Sequence, residues 1–408
     1  MPFDPPVPSR AVWLDRGTPP HILTLVLLTG LSALSLNVIL PSLPSIAASY
    51  GADYGVVSLA ISAYLGLTAV LQLLLGPLSD RFGRRPVLLG CFTLFLFATV
   101  GCLLAPSIEV FLAFRMAQAA IASGIALSRA IVRDMVTTDE AASLIGYVTM
   151  GMSLVPMVAP MIGGWLDETF GWQSVFWLML VCGIVVTALM ALDLGETNAA
   201  PSASFAAQFR AYPELARSQR FWGYALTAAL SSGAFFALLG GGPWVATHLL
   251  GMSPSSLGFH FGFISLGYLV GNFLSGRYAT QVGLNGMMLL GAAVGTFGML
   301  LVVLLFALGI RTPLSFFGPI LFLGLGNGLL LPSANAGIVS VRPHLAGSAS
   351  GLGGALMIAL GAALSVLAGT LLKPETGAWP LIWIMLVCSL LGIATTLWVV
   401  RVAQRRPL

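Results

Sequence analysis

Apolar stretches long enough to cross a lipid bilayer alternate with short polar intervals along the whole chain. They fall at about 21–44, 55–76, 86–105, 109–134, 142–165, 172–193, 221–243, 255–277, 283–309, 313–338, 345–371 and 378–401. A spanning helix needs about 20 residues, and every one of these stretches supplies them. Hydrocarbon offers no partner to a backbone N–H or C=O, so each stretch must be a helix. Proline and glycine punctuate the ends, at Pro41, Pro44, Pro106, Gly171, Pro243, Pro254, Pro313, Pro343 and Pro374. The longest polar interval runs from Leu194 to Arg220 and leaves six segments on either side. The pattern predicts an all-α membrane protein with twelve transmembrane helices in two six-helix halves. Its divisions are a tail over 1–20, a first bundle over 21–193, a linker over 194–220, a second bundle over 221–401 and a tail over 402–408.

Composition agrees and removes other classes. The 408 residues are 58% hydrophobic and 8% charged, against roughly 25% charged in an ordinary soluble domain. A soluble protein of this make-up could not cover its surface. The net charge of +4 matters less than its placement. With the N-terminus inside, fourteen basic residues lie on the cytoplasmic side and two, Arg311 and Lys373, outside; Arg115 and Arg129 fall within the fourth segment. That bias puts both termini in the cytoplasm. No basic run is interleaved with aromatics, which argues against nucleic acid as a partner. There is no P-loop, nucleophile elbow or zinc motif, so neither an ATP-driven machine nor an enzyme is indicated, and no cofactor or metal is expected. Cys91, Cys102, Cys182 and Cys388 all sit in apolar segments without CxxC spacing and read as free thiols. The first twenty residues carry no pattern of a cleaved signal peptide.

The most specific run is Gly76-Pro77-Leu78-Ser79-Asp80-Arg81-Phe82-Gly83-Arg84-Arg85-Pro86-Val87, between the second and third segments. Its charges must sit at a membrane surface, and an acid within reach of several arginines makes an ion cluster. The run resembles the signature loop between the second and third helices of the major facilitator superfamily. That resemblance implies two pseudo-symmetric six-helix halves around a central cavity that opens alternately to each side. It also implies a gating role for Gly76, Asp80, Arg81, Gly83, Arg84 and Arg85, joined by Arg133 and Asp134, with Asp80 directed towards the start of the eleventh helix. The bland alternative is charge that only sets topology. A weaker echo, Gly271 to Arg277 followed by Gly283, stands at the matching place in the second half.

Further stretches are similar to the Bcr/CflA-type drug-resistance branch, whose members are drug/proton antiporters. They are Leu40-Pro41-Ser42-Leu43-Pro44, Gln72 ahead of Gly76-Pro77, and Arg115 and Gln118 leading to Arg129 and Arg133-Asp134. Pro156, Pro160, Gly163 and Gly164, followed by Gly171-Trp172, complete the set. The branch implies export of small, mostly apolar drugs across a bacterial inner membrane by a monomer, with protons and the lipid bilayer as its other partners. One departure stands out. Where the branch carries an acid ahead of L-P-x-L-P, this chain has Asn37, which cannot take up a proton. All fourteen acids lie in loops or near segment ends. Proton coupling must then use an interfacial acid or His260, or be absent. The rival reading is therefore an uptake or facilitated carrier of a nutrient or metal ion that is not proton-driven.

Several residues support two readings. Arg115 is a substrate or coupling contact, or a buried strut between helices. Asn37, Gln118, Asn272, Asn327 and Asn335 are pocket contacts or interhelical hydrogen bonds. Tyr64, Phe235, Phe236 and Trp244 line an apolar pocket or belong to the core. His248 and His260 are lone histidines with structural roles unless one carries protons. Pro156, Pro160, Gly163 and Gly164 bend the fifth helix and allow close packing. Met150, Met152, Met157 and Met161 read as flexible lining, with soft-metal binding as the alternative.

Overall fold

A computed structural model describes residues 12–135, 138–198, 213–342 and 345–405. The side chains of Arg133, Met150, Met152 and Met157 lie outside the described residues. All regular structure among the described residues is helical. In chain order the long helices are α1 (Ile22–Tyr50), α2 (Tyr54–Phe82), α3 (Arg84–Leu103), α4 (Ile108–Val132), α5 (Thr138–Phe170), α6 (Gln173–Asp193), α7 (Gln219–Leu249), α8 (Pro254–Val282), α9 (Leu284–Ala307), α10 (Pro313–Ser340), α11 (Ser348–Leu371) and α12 (Trp379–Val402). Among the described residues, eleven of them are long and apolar enough to cross a membrane, and α5 occupies the fifth predicted segment.

Two helices run further than their prolines suggested. In α1 the chain tightens into a 3-10 turn at Leu40–Ser42 and resumes as Leu43–Tyr50. Pro41 and Pro44 each occupy the first turn of one of these pieces, where a missing N–H removes no helical bond. The predicted stop at 44 is therefore a bend. In α7 the helix passes through Pro243 and continues as a wide π turn over Val245–Leu249.

Exposed large apolar side chains are frequent on α3, α6, α9 and α12, among them Phe97, Val100, Trp177, Val181, Phe297 and Leu390. Further exposed apolar side chains lie on α2, α5, α8 and α11, among them Val70, Trp165, Phe273 and Leu367, while α7 and α10 are the most buried of the long helices. A continuous buried cluster joins Phe92, Phe95 and Phe176 of the first half to Trp244, Phe261 and Phe317 of the second.

The two halves repeat with a register that hydropathy did not reveal. Helices α2 and α8 begin at Tyr54 and Pro254 and end at Phe82 and Val282, 200 residues apart at both ends. Asp53 and Ser253 cap them with their side chains. Gly51 and Gly251 precede them with φ of 61° each, and Gly83 and Gly283 follow with φ of 96° and 78°. This register pairs Gly76 with Gly276, not Gly271, so the echo expected from Gly271 to Arg277 is shifted by five residues. Asp80, Arg81, Arg84 and Arg85 then correspond to Thr280, Gln281, Leu284 and Asn285.

Candidate functional site

The halves meet along two pairs of helices, α2 with α11 and α5 with α8. A Cβ placed on Gly164 of α5 would collide with the carbonyl oxygen of Pro254 in α8, and one on Gly258 of α8 with the carbonyl oxygen of Pro160 in α5. These two helices therefore touch backbone to backbone, which only glycine permits. Gly163, next in line, faces the Val38 carbonyl of α1 in its own half. Among the described residues, hydrogen bonds cross between the halves. Tyr54 Oη donates to the Gly240 carbonyl (2.9 Å), the Ser255 N–H to Glu168 Oε2 (3.1 Å), and Ser265 Oγ to the Pro156 carbonyl (3.0 Å). The contacts of Tyr54, Glu168, Gly164 and Gly258 lie towards the end of the bundles away from the 76–86 loop, and the Ser265–Pro156 bond lies nearer the middle. Moving along α2 towards that loop, a Cβ on Gly66 would sit 3.9 Å from Ala362 Cβ, and the Gln72 amide oxygen lies 3.4 Å from a Cβ position on Gly354. The α2–α11 seam thus runs from the far end past the middle of both helices.

Midway through the first half, Arg115 is completely buried and satisfied by its own half. Its Nε donates to the Ala60 carbonyl (3.1 Å), Nη1 to Ser35 Oγ (3.2 Å) and Gln118 Oε1 (2.8 Å), and Nη2 to the Ser35 carbonyl (2.8 Å). The guanidinium lies 4.3 Å from the centre of the Tyr64 ring, a cation–π contact that is strong where water is excluded. Gln118 passes the network on to Thr99 Oγ1 (2.7 Å). One arginine thereby ties α1, α2, α3 and α4 together. The chain supports it with a 3-10 turn over Gln118–Ala122 directly after Arg115. Asn37, two residues beyond Ser35, is buried and donates within its own helix to the Ala33 carbonyl (2.8 Å).

The corresponding core of the second half is neutral. Asn327 of α10 is buried and accepts from Ser231 Oγ of α7. Phe235 and Phe236 are half-buried with ring centres 5.6 Å apart, and Phe236 lies over Gly361 of α11. Asn335 is exposed on α10 beside Pro332 and Ala336, and Arg129 is exposed on α4. Trp244 stacks on His248 at 5.0 Å near the far end. His260 sits among Phe259, Phe263 and Phe317, with Nδ1 2.7 Å from the Ser256 carbonyl. The candidates therefore divide into a buried first-half network, a neutral second-half pair and aromatics nearer the seam.

The 76–86 loop forms the ion cluster its composition requires. Arg84 pairs with Asp80 one turn back and with Asp134 Oδ2 (3.0 Å), and also donates to Ser79 Oγ. Arg81 is exposed, its guanidinium 5.4 Å from the Phe82 ring centre. Asp80 keeps its pairing inside its own half. The opening of the linker adds a feature the sequence reading missed. Glu196 accepts the N–H groups of Arg84 (2.9 Å) and Arg85 (3.2 Å) at the start of α3. Asn198 donates to the Asp80 carbonyl (2.8 Å) at the end of α2, and Thr197 Oγ1 to Asp134 (3.3 Å). Asp193, fully buried, accepts from the Leu14 N–H (2.7 Å), the His21 N–H (2.9 Å) and Thr24 Oγ1 (2.6 Å). A carboxylate or amide three to five residues past a long helix, beside an arginine loop, was the available signal.

Two pseudo-symmetric helical bundles with a lipid-facing belt and a seam between them define a multi-pass membrane transporter. The chain belongs to the Major Facilitator Superfamily, whose family model matches residues 25–366. It is 35% identical over 391 residues to the uncharacterised MFS-type transporter YdgK of Bacillus subtilis, covering 93% of this chain and 96% of that protein. It is 29% identical over 357 residues to a chloramphenicol resistance protein of Pseudomonas aeruginosa, covering 86% and 84%, and 26% identical over 381 residues to a bicyclomycin resistance protein homologue of Haemophilus influenzae, covering 91% and 94%. In structure it resembles a bacterial homologue of the human lysosomal transporter Spinster, at a TM-score of 0.73 and 18% identity over 95% of this chain and 98% of that one. The human organic anion transporter MFSD10 is similar at a TM-score of 0.69 and 20% identity, over 93% and 98%.

Proposed function

We propose that this protein exports small, mostly apolar compounds across the bacterial inner membrane by alternating access, with proton movement as the driving force. The observation that carries the reading is the one-sided seam. Cross-half hydrogen bonds and glycine-mediated backbone contacts run from the end away from the arginine loop to the middle of the bundles, which supports a transporter open on its arginine side. The positive-inside bias makes that side the cytoplasm and places both termini there. A cargo entering from the cytoplasm would meet Asn335, Pro332 and Arg129 on α10 and α4, with Phe235 and Phe236 deeper in. Relatives named for resistance to chloramphenicol and bicyclomycin support a small drug-like cargo, and the lack of a carboxylate in the middle of any segment favours a neutral one over a cation.

Asn37 moves proton uptake away from mid-membrane. The remaining carriers are interfacial: Asp167, buried and accepting from Ser45 Oγ (2.7 Å), and His260. The test is transport of chloramphenicol, a neutral probe, into proteoliposomes under an imposed pH gradient. The proposal predicts gradient-dependent movement, and a steeper pH profile for Asn37→Asp, which adds a titrating group. Gradient-independent transport would overturn proton coupling and favour the facilitated carrier. An Asn37→Asp profile identical to wild type would show that the missing acid is not the relevant departure.

A further inference from the structure

Pro160 lacks an N–H, so the helical bond it would have donated to the carbonyl of residue 156 does not exist. That carbonyl belongs to Pro156, near the middle of α5. Pro156 is half-buried, and a backbone oxygen held from water without a donor is costly, more so in hydrocarbon. In this structure the missing donor comes from the opposite half of the molecule, where Ser265 of α8 donates its hydroxyl to the Pro156 carbonyl at 3.0 Å. The same hydroxyl has a second acceptor in its own helix, the Phe261 carbonyl at 3.3 Å. The flanking contacts hold the pair in place: Gly258 against Pro160 one way along the seam, and Gly164 against Pro254 beyond it.

We infer that Ser265 is the latch of the α5–α8 seam, a positioning residue that stabilises the closed seam by serving the carbonyl Pro160 leaves open. The inference rests on alternating access as proposed above, but not on the cargo, the direction of transport or proton coupling. When the halves part, Ser265 turns back to Phe261 and loses nothing. Such back-bonding within one helix is ordinary for serine. Only the Pro156 carbonyl loses its partner, so opening costs one hydrogen bond. A single net hydrogen bond corresponds to about a three- to tenfold bias between the two states. The second proline of the P-x-x-x-P pattern therefore does more than bend α5. It creates a docking point that the other half can occupy in one state alone.

The test uses spin labels on cysteines replacing Phe170 and Leu249, exposed residues at the far end of the two halves, with distances measured by pulsed electron resonance in proteoliposomes. Wild type should favour the short distance. Ser265→Ala should move the population several-fold towards the long one, and Ser265→Thr, which keeps the hydroxyl, should restore it. Pro160→Ala returns the helical N–H, so adding Ser265→Ala in that background should shift the distribution no further. A Ser265→Ala distribution equal to wild type, or equal shifts in both backgrounds, would overturn the latch. If no variant shows the long distance, even Gly258→Trp, which wedges the seam, alternating access itself fails and the latch with it.

Discussion

The two halves of this molecule share a backbone plan and differ in chemistry. At the turn from α2 to α3, Gly83 takes φ of 96°, and at the turn from α8 to α9, Gly283 takes 78°. Around the first turn stand Asp80, Arg81, Arg84 and Arg85; around the second, Thr280, Gln281, Leu284 and Asn285. The cores differ likewise. Arg115 ties α1 and α2 to α4 through charged hydrogen bonds and reaches α3 by way of Gln118, while the second half uses the neutral Ser231–Asn327 pair. The comparison teaches that neither the turn nor the bundle requires the charges. Glycine supplies the turn and apolar packing the bundle, so the charges of the first half are free to serve the transport cycle and topology. That half is also where the linker returns to clamp the loop through Glu196 and Asn198.

The largest expected difference is in the cores. Arg115→Ala strips partners from the Ser35 and Ala60 carbonyls and from Gln118 in a fully buried site, and should lower stability by about 3 kcal/mol or more. Asn327→Ala should cost about 0.6–1 kcal/mol, the usual range of an interhelical hydrogen bond in a membrane. Thermal unfolding in detergent compares them directly, and equal losses would break the contrast. At the turns, Gly83→Ala and Gly283→Ala both force a side chain into positive φ, at about 1–3 kcal/mol each. Only the first also meets a neighbour, the Glu196 carboxylate; a Cβ on Gly283 finds open space. The melting temperature of Gly83→Ala should therefore fall further than that of Gly283→Ala. The smallest effect is expected from Glu196→Gln, which keeps the shape of the cap on α3 but removes its charge. A drop of about 0.5 kcal/mol at low salt, fading at high salt, would mark the helix-terminus contribution.

Much of this was legible before any coordinates. Hydrophobic runs located the twelve segments because lipid leaves a spanning chain no other choice. The loop composition required the pairing of Asp80 with Arg84. Pro41, Pro44 and Pro243 misled at helix ends, because a proline in a first turn, or one followed by a wide turn, bends a helix without ending it. The 200-residue repeat escaped notice because glycines and caps carry it, while the charges that draw the eye occur only once. The Arg115 network was half legible. The arginine and Gln118 stood out, but Ser35, Thr99 and the Ala60 carbonyl look ordinary until four helices bring them together. Glu196 and Asn198 were passed over as linker, and Ser265 as one more small residue in an apolar helix. The signal for Ser265 was indirect, an orphan carbonyl four residues before Pro160 that had to find a donor somewhere.

The central claim is that the seam between the halves must open and close during transport. A disulfide across it tests this most directly. The Cβ position on Gly66 of α2 lies 3.9 Å from Ala362 Cβ of α11, inside the range that a disulfide spans. In the double variant Gly66→Cys/Ala362→Cys, oxidation should stop movement of the neutral probe used above, and reductant should restore it, while each single variant remains insensitive to oxidant. Transport that continues unchanged through a fully oxidised seam would contradict the account.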